Sequence, residues 1–164
     1  MAHPPMFDDD DPALLRLRTL ALALPDAATK VSHGRPAFFA APRGKVFAYY
    51  GGSRRVDGAW VQHPRCVVVL LEPGEREAVL GDPRAFVPAY LGPSGWVGLD
   101  LAAPGSPGWE EQWAEVAELV DASYRRTAGP RRVARLDAGE RHEGRGPRPA
   151  RRAPDGRGEG RMAP

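Results

Sequence analysis

The chain has 164 residues, with 23 Lys and Arg against 21 Asp and Glu for a net charge of +2, and with Gly 19 and Pro 18. That length suits one domain with tails and leaves no room for a second. No run approaches the roughly 20 apolar residues of a membrane span, the acidic start lacks the basic-then-apolar order of a signal peptide, and the lone Cys66 excludes an intramolecular disulfide, so a cytoplasmic monomer that does not engage membranes is expected.

Residues 1–11 form an acidic leader, expected to be flexible, ahead of a domain over 12–137. Asp11 as N-cap and Pro12 in the first turn open a helix whose Leu14, Leu17, Ala21 and Leu24 share one face, and Pro25 closes it. Aromatic flanks predict a hairpin over 35–50, with Pro42 and Gly44 bracketing a turn that projects Arg43 and Lys45. A Gly-rich basic loop over 51–58 follows, carrying Arg54 and Arg55 and leading to Trp60 and Val61. The run from Cys66 to Leu71 is β-branched, short and bounded by Pro64 and Pro73, which predicts a central strand.

A short helix is expected over Glu75 to Leu80, then strands around Ala85 to Leu91 and Trp96 to Leu101, separated by Gly92-Pro-Ser-Gly95. Ser106 and Pro107 are expected to open the last helix, where Trp109, Trp113, Val116, Ala117, Val120 and Tyr124 repeat at helical spacing. Glu110 and Glu111 then fall in its first turn and Arg125 and Arg126 in its last, and Gly129-Pro130 stops it. The pattern is helix, several strands, helix, an α+β arrangement. Residues 1–124 hold 11 basic and 16 acidic side chains, while residues 125–164 hold 12 basic and 5 acidic ones. The Arg/Gly/Pro-rich stretch 138–164 offers almost nothing to bury and is expected to be disordered.

No familiar chemistry announces itself. His3, His33, His63 and His142 are scattered, and the closest pairing, His63 with Cys66, falls short of a zinc site. The chain has no Gly-x-Ser-x-Gly elbow, and Gly51-Gly-Ser-Arg-Arg55 lacks the spacing and the Lys-Ser/Thr of a phosphate-binding loop. Trp60, Trp96, Trp109 and Trp113 are of a type that stacks bases, although two of them share the apolar face of a helix and read as core. A protein without catalytic residues, metal or cofactor is therefore expected. What remains is electrostatics on hairpins: Arg43 and Lys45 on one, Arg54 and Arg55 on another, emerging from opposite ends or adjacent edges of one sheet like two wings that contact phosphates. Solvated surface is the plain alternative for such arginines.

The ordered series His33-Gly-Arg-Pro-Ala-Phe38, Arg43-Gly-Lys-Val-Phe-Ala48, Asp82-Pro-Arg-Ala-Phe86, Tyr90-Leu-Gly92, Gly95-Trp-Val-Gly-Leu-Asp100 and Ala128-Gly-Pro-Arg-Arg132 resembles the MmcQ/YjbR family of small bacterial proteins, over roughly Ala13 to Leu136. The resemblance implies an antiparallel sheet flanked by N- and C-terminal helices, described as CyaY-like or secretion-chaperone-like and compared with double-wing DNA-binding domains. On that comparison members are commonly labelled DNA-binding, and with the basic hairpins this gives the expectation of weak, salt-dependent nucleic-acid binding, DNA in the first place, through Arg43, Lys45, Arg54 and Arg55. A protein-interaction module using the open sheet face or an edge strand is the alternative that the chaperone-like topology implies. Fold likeness alone fixes neither function.

Overall fold

The computed structural model describes residues 4–142. The expectation of a disordered tail lies, from residue 143 onward, outside the described residues. Helix α1 (Pro12–Leu22) starts where the Asp11 carboxylate accepts a hydrogen bond from the Ala13 N–H at 3.0 Å, and it buries Ala13, Leu14, Leu17 and Ala21. The end of the leader is tied down. Met6 N–H donates to the Gly34 carbonyl at 2.8 Å, Phe7 packs against the core, and the Asp11 side chain also accepts from the Tyr50 hydroxyl.

Asp26, at a φ of 59°, turns the chain into β1 (Ala27–Ser32), an edge strand that the sequence reading missed. His33 and Gly34 then make a two-residue turn into β2 (Arg35–Ala40), and the expected basic turn leads on to β3 (Val46–Val56). β3 corrects the loop expected over 51–58. Its strand runs through Arg54 and Arg55, and only Asp57 and Gly58, both at positive φ (49° and 80°), connect it to β4 (Ala59–Leu70). Asp-Gly is the sequence that a type I′ hairpin turn demands, so the apparent loop shrinks to two residues. Opposite Pro64 the pairing slips between Tyr50 and Gly52, with Gly51 at φ 82°, and this irregularity is what lets a proline sit inside a long strand.

Helix α2 (Pro73–Leu80) leads to β5, which is only Ala85–Phe86, and a 3-10 turn at Gly92–Ser94 precedes β6 (Trp96–Asp100). The strand expected over 85–91 stops early because Pro88 and Tyr90, the latter at φ 64°, break it. Helix α3 (Gln112–Thr127) likewise begins later than Ser106, since Gly105 and Gly108 sit at φ 75° and 85°, outside helical space. Trp109, Glu110 and Glu111 therefore precede the helix. Gly129 ends α3 as expected, yet Pro130 at a first-turn position opens a further helix, α4 (Pro130–Asp137).

The six strands form one antiparallel sheet in the order β1-β2-β3-β4-β6-β5. On one face, Phe38, Phe47, Tyr50, Val67, Val69, Val97 and Leu99 pack against Leu14 and Leu17 of α1 and against Trp113, Val116, Val120 and Tyr124 of α3. On the other, Cys66, Val68, Phe86 and Trp96 form a second, smaller cluster with Tyr49. The middle of β4 is buried on both sides, which is why Cys66 to Leu71 is an unbroken apolar run rather than an alternating one. Ser123 of α3 ties helix to sheet: its hydroxyl donates to the Phe47 carbonyl at 2.5 Å and accepts from Leu70 N–H at 2.9 Å.

Candidate nucleic-acid interface

β2 pairs with β3 only as far as Tyr49, and β6 pairs with β4 only as far as Cys66. Beyond those points, Gly52–Val56 and Ala59–His63 pair with each other alone, a two-stranded ribbon that leaves the sheet. Its base is anchored. His63 Nδ1 lies 2.8 Å from the Asp100 carboxylate, and its ring stacks on Phe86 with centroids 3.7 Å apart. Phe86 fits because Gly98 and Gly52 lack side chains: a Cβ on Gly98 would sit 2.3 Å from the ring. Arg35 donates to the Gln62 side chain at 2.7 Å, and Ala89 N–H donates to the Ser53 carbonyl at 2.8 Å.

The four basic residues singled out by sequence occupy the two ends of β3. Arg43 lies in the β2–β3 turn and Lys45 just before β3, whereas Arg54 and Arg55 lie on the ribbon. From Lys45 to Arg55 the strand spans about 33 Å at ~3.3 Å per residue. Alternation along β3 sends Arg54 and Arg55 to opposite faces of the ribbon, so the pair straddles it rather than forming one patch. All four side chains belong to exposed residues.

Charge is segregated by the fold. Residues 27–70, which supply β1 to β4, hold seven cations (Lys30, Arg35, Arg43, Lys45, Arg54, Arg55 and Arg65) and one acid, Asp57. Among the described residues none of those seven has a carboxylate partner. The helical side is different: Arg16 pairs with Glu110, Arg18 with Asp9, Arg125 with Asp121 and Asp137, Arg126 with Glu72, and Arg132 and Arg135 with Asp26. Arg135 and Arg132 hold the Asp26 carboxyl below its ordinary value, Arg135 being the stronger influence. Arg84 is neutralised by Asp82 and Glu115 in the same way.

The ribbon also carries aromatic surface. Trp60, directly opposite Arg55, is 44% exposed, and the Arg55 guanidinium lies 4.8 Å from its ring centroid. Tyr90, 84% exposed, lies against the same indole with centroids 5.8 Å apart and planes 35° from parallel. Of the other tryptophans, Trp96 and Trp113 are buried and Trp109 is half-buried, packed edge-on to Trp113. Sequence reasoning placed Tyr90 in a strand. The surrounding Pro88, Gly92 and Pro93 were the available signal that it stands on a loop.

One polar constellation has the composition of a catalytic site, His63 and Asp100 beside Cys66. The thiol is fully buried, and desolvation drives its pKa far up, so the reactive thiolate is disfavoured. No group of three or more His, Cys, Asp or Glu among the described residues is arranged to hold a metal ion, and no helix there is long and apolar enough to cross a membrane. A groove of 730 Å³ between α1 and α3 has an apolar floor that includes Leu20, Leu24 and Val120, while its Asp121, Glu72, Arg125, Arg126 and Arg141 pair among themselves.

No curated protein and no solved structure matches the chain. A family match does cover residues 22–126, from the last residue of α1 almost to the end of α3, and it takes in the whole sheet, the ribbon and Tyr90. The chain belongs to the YjbR family.

Proposed function

We propose that this protein is a non-enzymatic nucleic-acid-binding module that contacts DNA phosphates through the β3–β4 ribbon, with the β2–β3 turn as a second, separate contact. The observation that carries this reading is the segregated charge: seven cations against one acid over β1 to β4, none of the cations neutralised by a carboxylate among the described residues. Desolvating an arginine that already has a carboxylate partner gains little, whereas an unpaired arginine exchanges only counterions for a phosphate. The ribbon suits the task because its backbone is fixed at the base by His63, Asp100 and Phe86 while its long side chains reach outward on both faces. In this respect it acts as a wing. A cytoplasmic setting, which the single buried cysteine suits, brings nucleic acid within reach.

A second reading, addition of a partner's strand along the free edge of β1, draws support from Val31, which is 59% exposed on that edge. The ribbon reading takes precedence because charge segregation is unexplained by strand addition. Its test is binding of the full chain to a 20-bp duplex over a salt series, with and without alanine at Arg43, Lys45, Arg54 and Arg55. If each neutralises one phosphate, the slope of log affinity against log salt flattens by about 3–4 in the variant. A retained slope would place binding elsewhere.

A further inference from the structure

Trp60 and Tyr90 give the ribbon something that phosphate contact does not require. Tyr90 presents a ring that is 84% exposed, held by a φ of 64° that a tyrosine rarely adopts. Such backbone strain at an exposed aromatic is not explained by packing, since the residue buries almost nothing. The ring is nevertheless positioned. It leans on Trp60 at 5.8 Å, Trp60 is gripped from the opposite strand by the Arg55 guanidinium at 4.8 Å, and Ala89 N–H fixes the preceding residue to Ser53. The 3-10 turn Gly92–Ser94 closes the loop behind it, and Arg76 holds that turn by donating to the Gly92 carbonyl at 3.5 Å.

We infer that Tyr90 and Trp60 form a stacking platform for an unpaired nucleobase, so that the ribbon prefers single-stranded nucleic acid to duplex. This rests on the nucleic-acid reading above and adds to it the class of substrate. Exposed aromatic faces stack on any base, and every base in a duplex is already stacked on its neighbours, so the platform rewards only an unpaired one. Charge supports this occupant over an apolar protein segment: Arg55, beside Trp60 and without a carboxylate partner among the described residues, is placed to meet a phosphate next to the stacked base, and Arg54 adds positive charge from the opposite face of the ribbon. A nearby acid, Asp57 at the ribbon tip, favours strands whose phosphates pass along the flanks and not over the end.

The test uses the full chain, an eight-residue oligothymidylate and a duplex of mixed sequence, with affinities measured by fluorescence anisotropy for the wild type, Tyr90→Ala and Tyr90→Phe. Tyr90→Ala is expected to weaken single-strand binding roughly 5- to 150-fold, the loss of one stacked base, while changing duplex binding less than about twofold. Tyr90→Phe keeps the ring and is expected to retain wild-type affinity for both probes. Because the side chain is exposed, unfolding of the alanine variant is not expected, and matching melting temperatures verify that. Equal losses on the two probes, or no loss on either, would overturn the stacking inference while leaving phosphate contact by Arg54 and Arg55 standing. A wild type that binds neither probe would overturn both, and the patch would then belong to a protein partner.

Discussion

Replacing Ser123 by Ala removes one oxygen atom, yet it is expected to be among the costlier small changes in this protein. In a regular antiparallel ladder the pairing of Ala48 with Val69 would continue to Phe47 and Leu70. Here the fully buried Ser123 hydroxyl stands between them instead, donating to Phe47 at 2.5 Å and accepting from Leu70 at 2.9 Å. Alanine leaves a buried carbonyl and a part-buried N–H without partners, at up to about 1–3 kcal/mol for each group. Allowing for partial closure of the strands, the expected loss is about 2–4 kcal/mol, or roughly 5–15 °C in melting temperature for a chain of this size. Urea denaturation followed by circular dichroism measures it, with an unchanged m-value showing that the unfolded state is unaffected. A loss below about 0.5 kcal/mol would refute the relay, because β3 and β4 would then be shown to bond directly once the hydroxyl is gone.

Trp113→Ala should destabilise the domain by about 3–5 kcal/mol, since the indole is buried among α1, α3 and the sheet; an unchanged denaturation midpoint would contradict that packing. Asp26 titrates below its ordinary value of 3.8 in the fold, so its ion pairs with Arg135 and Arg132 stabilise the protein above that pH and are lost as pH falls through the folded value. Asp26→Asn, which tolerates the same positive φ, should therefore lower stability at pH 7, with the gap narrowing progressively as pH falls below 3.8, as pH-dependent melting of both proteins will show. A gap that persisted undiminished at pH 2.5 would point to hydrogen bonding rather than charge.

Strong local signals were legible from sequence. Asp11-Pro12 gave the start of α1, the unbroken Cys66 to Leu71 run gave the strand buried on both sides, and Pro42 with Gly44 marked the basic turn. β1 escaped because Ala27–Ser32 carries only one large apolar residue, Val31, and that one is exposed. The late start of α3 depends on Gly105 and Gly108 taking left-handed backbone, a choice that apolar spacing does not report. In sequence the glycines at 51, 52 and 58 make the ribbon read as a Gly-rich loop, whereas in the fold Gly51 serves a bulge and Gly58 a tight turn. The candidate site was half visible. Arg54 and Arg55 were found by charge, but a net charge summed over residues 1–124 is negative and hid the cationic run from 27 to 70, since the acids lie almost wholly on either side of it. Tyr90 could not be joined to Trp60 without the fold, as thirty positions of sequence separate residues that the crossing loop brings into contact.

The central claim is that the ribbon, not the chain at large, holds nucleic acid, and the two ends of β3 are far enough apart to test it. An 8-bp duplex is about 27 Å long, shorter than the roughly 33 Å between Lys45 and Arg55, so it reaches only one end at a time. Binding of this duplex by the full chain, measured across salt concentration, compares Arg54→Ala/Arg55→Ala with Arg43→Ala/Lys45→Ala. The account predicts that the ribbon pair flattens the slope by about 1.8 while the turn pair changes it by less than about 0.5. An unchanged slope for the ribbon pair would contradict it.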